Sequence, residues 1–138
     1  MNLYKPSLYT VDDANAGGGR PALKGRSCRC GHLFFPPQDF GCEKCGATGT
    51  ALSPVLLSGQ GTILSWATVH MHAKPYPRPP FVVGKIALQD GPVLRALLQV
   101  DDESSLVVGT PVEAVLVPVN DEKQHVDLWF RPSTVQGE

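Results

Sequence analysis

The chain has 138 residues, 42% hydrophobic and 18% charged, which bounds it to one domain with at most a small appendage and excludes wholesale disorder. Twelve basic against thirteen acidic residues give a formal net charge of −1, without the field of Lys and Arg that a dedicated nucleic-acid binder turns toward phosphates. No apolar run nears the roughly 20 residues that cross a bilayer, and the opening residues lack the basic and apolar regions of a secretory signal, so a soluble cytoplasmic protein is expected.

Fourteen Gly and thirteen Pro leave little room for long helices, so the predicted class is mainly β. Residues 1–22 read as an arm, either flexible or laid on a partner. They hold few apolar side chains, of which Tyr4, Leu8 and Tyr9 are the ones to bury, and they include Ala16-Gly17-Gly18-Gly19. Residues 23–54 contain all four cysteines and few core candidates, chiefly Leu33, Phe34, Phe35 and Phe40. A segment this short needs a staple to fold.

Residues 55–138 change to strands cut by turns. Gly61 to His72 alternates Ile63, Ser65, Ala67, Val69 and Met71 against Leu64, Trp66, Thr68, His70 and His72. A second strand, Phe81 to Leu88, turns at Gln89-Asp90-Gly91-Pro92 into a third, Val93 to Val100, with Asp-Gly as the hairpin signal. Residues 101–106 suit a short helical turn. A fourth strand covers Pro111 to Val117 and a fifth Gln124 to Phe130, joined by Asn120-Asp121-Glu122-Lys123. Five short strands with a break after the third suit a Greek-key barrel of the OB type, with a five-stranded sandwich fragment as the alternative.

The cysteines read Cys28-Arg29-Cys30-Gly31-His32 and Cys42-Glu43-Lys44-Cys45-Gly46. Such a cluster in a cytosolic chain points to metal and away from a disulfide framework. A Gly after each pair permits the sharp turn by which two thiolates converge on one ion. Four thiolates would close a tetrahedron and leave no substrate position, so a structural zinc held by Cys28, Cys30, Cys42 and Cys45 is expected. One residue separates Cys28 from Cys30 where the usual knuckle has two, which makes His32 a possible substitute ligand.

In order along the chain, CRCGHLFFPPQDFGCEKCG, LSGQGTILSWATVH, PPFVVGKIALQDGPVLRALLQV, GTPVEAVLVPV and the ending Phe130-Arg131-Pro132 resemble the DUF35 family over about residues 23–132. The resemblance implies a rubredoxin-like zinc ribbon followed by an OB-fold domain. It also implies a companion subunit for a thiolase-like enzyme, or sometimes a hydratase, acting on coenzyme A thioesters, with the catalytic Cys and His carried by the partner. Within the family, the short first knuckle and FFPPQDFGCEKCG are most similar to the zinc-containing accessory subunits serving the benzoylsuccinyl-CoA thiolase of anaerobic toluene degradation. The helix that precedes the ribbon in relatives is replaced here by the Gly-rich arm, so partner contacts placed there do not carry over.

The residues agree with a non-catalytic chain. A thiolase needs a free thiolate beside a base, and the zinc site claims every cysteine. No nucleophile elbow or phosphate-cradling Gly loop is present. His70 and His72, at i and i+2, read as a polar face rather than a metal or acid–base pair. In the proline-rich loop of residues 73–80, Lys74 and Arg78 are candidates for the phosphates of coenzyme A and Tyr76 for its adenine, against a rigid loop that packs on the partner enzyme. Lys85 and Arg95 would widen a phosphate-attracting patch if they share a face. Phe34, Phe35, Trp129, Phe130 and Arg131 are candidates for the partner interface, with Trp129 alternatively closing the barrel. The expected function is a zinc-binding accessory subunit of a hetero-oligomer that assembles, positions acyl-CoA or regulates. The rival expectation is a stand-alone acyl-CoA-binding protein; no nucleic acid or membrane partner is expected.

Overall fold

Glycine and proline punctuation divides the chain into short strands in the computed structural model, which describes residues 2–12, 20–38, 40–74, 76–100, 104, 106–119 and 121–133. In chain order these are β1 (Asn2–Leu3), β2 (Tyr9–Asp12), β3 (Arg20–Cys28), β4 (Leu33–Phe34), β5 (Leu52–Leu57), β6 (Gln60–Val69), β7 (Phe81–Leu88), β8 (Val93–Leu98), β9 (Pro111–Pro118) and β10 (His125–Pro132). A 3-10 turn, Gly49–Ala51, precedes β5. No helix among the described residues is long and apolar enough to cross a membrane. The helical turn expected at 101–106 falls largely outside the described residues.

Strands β6 to β10 close a barrel in the order β6-β7-β8-β10-β9, with β9 returning to β6. This is the five-stranded OB arrangement, in which the third and fifth strands run parallel. Here that contact is β8 with β10, through Phe130 opposite Leu98 and the Gln99 amide donating to the Phe130 carbonyl at 2.7 Å. Closure requires β6 to serve two neighbours. Its first residues pair with β9 and residues 61–69 pair with β7, with a register shift between Ile63 and Ser65. That bulge interrupts the alternation read from the sequence: Ile63 is buried, Leu64 and Ser65 both face out, and Trp66 turns back in part.

At the crossing, Gly61 leaves no room for a side chain, because a Cβ there would lie 2.4 Å from the Ala87 carbonyl oxygen. Backbone oxygen in a paired strand cannot give way as a flexible side chain can. Gly61→Ala is therefore expected to destabilise the barrel by about 1–3 kcal/mol, read as a lower urea midpoint at unchanged slope.

A second sheet places β3 between β2 on one side of its first half, β4 on the same side further on, and β5 along the other side. The two sheets share one core: Tyr9, Leu23 and Leu57 pack with Ile63, Ile86, Leu98, Val112, Leu128 and Phe130. A separate small cluster of Cys28, Phe34, Cys42 and Leu52 fills the ribbon, as sparse as the composition of that segment implies. The arm departs from expectation over residues 2–12. β1 pairs in parallel with β10, β2 pairs with β3, and Tyr9 is only 3% exposed against this chain's own barrel. Residues 13–19, with the Gly run, lie outside the described residues. The second barrel strand, Phe81–Leu88, has the limits read from the sequence. β6 instead stops at Val69, so His70 and His72 are not paired on a strand face. His72 Nε2 lies 3.2 Å from the Tyr76 carbonyl, and its ring meets Phe81 edge-on.

Candidate metal centre and the buried carboxylate beneath the proline loop

Each knuckle is a tight turn ended by glycine. β3 ends at Cys28, whose carbonyl accepts from the Gly31 amide at 2.8 Å, and Gly31 sits at φ +97°. In the second knuckle the Gly46 amide donates to the Cys42 carbonyl at 2.8 Å, with Gly46 at φ +80°. Both angles fall in the left-handed region, where a Cβ is disfavoured. The strand pairing of β3 with β4 and β5 brings the two turns together.

The four sulfur atoms lie within 4.8 Å of one another, with Cys28 Sγ 3.6 Å from Cys45 Sγ and Cys30 Sγ 3.8 Å from Cys42 Sγ. Thiolates bound tetrahedrally at about 2.3 Å would stand about 3.8 Å apart, so these four fit one tetrahedral ion. Cys28 and Cys42 are buried, while Cys30 and Cys45 are exposed. The backbone amides of Cys45 and Lys44 favour the Cys42 thiolate, and the shared sulfur cluster holds the Cys28 thiol up in compensation. His32 stays outside the sulfur group. Its Nε2 is 2.9 Å from Glu43 Oε1 in the other knuckle, and its ring stacks on Phe34 at a 5.9 Å centroid distance. Cys28, in the knuckle that is one residue short, takes the fourth place in the cluster.

The proline loop is anchored from below. Asp127, 6% exposed on β10, accepts from the Tyr9 hydroxyl at 2.6 Å and the Leu128 amide at 2.9 Å on one oxygen, and from the Tyr76 hydroxyl at 2.7 Å on the other. Trp129 Nε1 donates to the Tyr76 hydroxyl at 2.9 Å, and Tyr4 meets the Tyr76 ring edge-on at 5.1 Å. Burial, reinforced by the Asp127 carboxylate, raises both phenols above the ordinary tyrosine range, and the Trp129 indole only partly offsets this at Tyr76. The network joins residues 118 and 51 positions apart, a separation no spacing rule detects. The available signal was an Asp set inside the apolar strand Val126-Asp127-Leu128-Trp129-Phe130.

The other expected site residues divide. Lys74 and Arg78 are exposed on the loop, and the Tyr76 hydroxyl is held inward. Phe34 is 3% exposed in the ribbon cluster and Phe130 is fully buried in the main core, so neither presents a surface to a partner. Both follow from strand phase, which points their rings inward. Phe35 is partly buried against the main core, Trp129 is half-buried, and Arg131 lies on the surface with Nε 3.0 Å from Glu113 Oε2.

A four-thiol ribbon joined to a closed five-stranded barrel defines a class of small β proteins. Residues 54–117 match the family described as ChsH2, C-terminal OB-fold domain. A DUF35 domain-containing scaffold protein of Pyrococcus furiosus is 30% identical over 99 residues, covering 67% of each chain. One of the same description from Methanocaldococcus jannaschii is 28% identical over 105 residues, covering 75% of this chain and 73% of its own. A solved structure titled Ltp2-ChsH2(DUF35) aldolase superposes with a TM-score of 0.65 at 26% identity, over 80% of this chain and 84% of that one. The chain belongs to the DUF35 family.

Proposed function

We propose that this chain is a non-catalytic, zinc-braced accessory subunit of a cytoplasmic thiolase-like complex acting on acyl-CoA, with its ribbon over 23–54 and its barrel over 55–138. The observation that carries this reading is the gathering of all four cysteines within 4.8 Å of one another. Bound there, zinc would supply folding free energy and rigidity and would leave no thiolate free to attack a thioester. The scaffold description of the two archaeal relatives supports a role in assembly.

The aldolase title of the structural neighbour favours a second partner class. Thiolases and aldolases both break a carbon–carbon bond beside a carbonyl, so a scaffold suited to one suits the other. Service to the benzoylsuccinyl-CoA thiolase of toluene degradation is the narrower form of the first reading. Lys74 and Arg78 would face the coenzyme A phosphates from a loop whose position Tyr76 fixes through Asp127. Phe35, Trp129 and Arg131 would contribute to the partner contact.

Co-expression with a thiolase-like catalytic chain from the same organism is the test. A stable heteromer is expected, with no thioester cleavage by this chain alone. Lys74→Glu with Arg78→Glu is expected to leave assembly intact and to weaken coenzyme A binding by the complex about tenfold. Cleavage by the isolated chain, or failure of the two chains to associate, overturns the assignment. Unchanged coenzyme A affinity in the double variant removes the phosphate role.

A further inference from the structure

A cavity of about 240 Å³ lies apart from the sulfur cluster and shares Tyr9 and Asp127 with the network beneath the proline loop. Its walls come from three parts of the fold: Leu8 and Tyr9 from the first segment, Leu23 and Phe35 from the second sheet, and Val83 and Leu97 from β7 and β8. Lys5 and Arg95, both exposed, are also among its lining residues. Arg95 is directly in register with Lys85 across β7 and β8, and Lys85 is exposed too. Like charges placed opposite one another on a sheet oppose folding. Among the described residues, no carboxylate forms an ion pair with Lys5, Lys85 or Arg95. Among the described residues the only acidic one in the lining is Asp127, whose two oxygens are occupied by Tyr9, Tyr76 and the Leu128 amide.

We propose that this cavity binds a small amphiphilic monocarboxylate, with an apolar body of about six to eight carbons inside and its carboxylate at the Lys5–Arg95 rim. Size sets the body: an apolar cavity of about 150 Å³ already accepts benzene, and this one is larger. Charge sets the direction. The buried Asp127 repels a carboxylate that enters first, while the unneutralised cations attract one left at the mouth. The site requires neither the proposed partner nor the coenzyme A loop.

The test is calorimetric titration of the full, metal-loaded chain with octanoate at low ionic strength, with 1-octanol and acetate as the neutral and bodiless counterparts. Saturable one-site octanoate binding is expected, weakening as salt is added. Octanol is expected to bind about two- to fivefold more weakly, and Arg95→Gln to lower octanoate affinity by a similar factor. Methyl NMR shifts should concentrate on Leu8, Leu23 and Leu97. Octanol binding as tightly as octanoate, acetate competing as well as octanoate, an unchanged Arg95→Gln variant, or shifts confined to leucines outside the cavity lining each overturns the proposal. So does the absence of saturable binding below about 10 mM.

Discussion

Removing the metal with a strong chelator is expected to unfold the ribbon while leaving much of the barrel paired. Apart from Leu23 and Leu57, which belong to the main core, the ribbon's buried cluster is Cys28, Phe34, Cys42 and Leu52. Half of that cluster is cysteine. Structural zinc in small ribbons contributes an apparent 10–16 kcal/mol, roughly, at neutral pH, far more than burial of one Phe and one Leu at about 1.5–3 kcal/mol each. Hydrogen exchange of the verified metal-free chain should show rapid loss of protection at the Cys28, Gly31, Cys42 and Gly46 amides, whose hydrogen bonds shape the knuckles. The β7 and β8 amides should exchange far more slowly. Cys42→Ser should reproduce this pattern with metal present. Full protection of the knuckle amides after chelation would show that the ribbon holds itself together without an ion.

Asp127→Ala is expected to cost about 3–5 kcal/mol, because it strands the Tyr9 and Tyr76 hydroxyls and the Leu128 amide without an acceptor in the interior. Asp127→Asn retains one acceptor oxygen and should cost less, about 1–2 kcal/mol. Denaturant melts of the two variants give the ordering, and equal losses would show that the carboxylate does not hold both tyrosines. The loop should respond as well. With Tyr76 released, the bond from Trp129 loses its fixed partner, and hydrogen exchange at the Tyr76 and Arg78 amides should accelerate. The pH dependence has a definite sign. Both phenols are raised in the folded state, so their contribution is fully present below about pH 10, where unfolded tyrosine begins to ionise, and is lost as pH rises above it. Tyr9→Phe should blunt that alkaline loss.

Where local chemistry decides the outcome, the sequence was a good guide. The strand Phe81–Leu88 and the turn after it follow from β-branched residues ending at Asp90-Gly91. The sulfur cluster follows from two glycine-terminated pairs. Local pattern failed where distant segments compete. Tyr9 looks like an isolated aromatic in a polar stretch, and only the pocket formed by Leu23, Asp127 and Leu128 explains its burial. Phe34 and Phe130 carry the residue type of an interface anchor, yet strand phase turns both inward. The bulge after Ile63 arises because one strand must satisfy β7 and β9 together, a demand of barrel closure that nothing in Thr62-Ile63-Leu64 encodes. His32 was separable from the cysteines only once Glu43 stood 2.9 Å away.

The parallel seating of Asn2 and Leu3 beside His125 and Val126 carries a consequence for biosynthesis. The two strands are separated by nearly the whole polypeptide, and such distant pairings are slow to form. On the ribosome, residues 2–4 must wait unpartnered until β10 has left the exit tunnel. The knuckles, complete within residues 28–46, can capture an ion long before then. If zinc fills the knuckles as proposed, it loads early in the order of assembly, and the docking of β1 comes last.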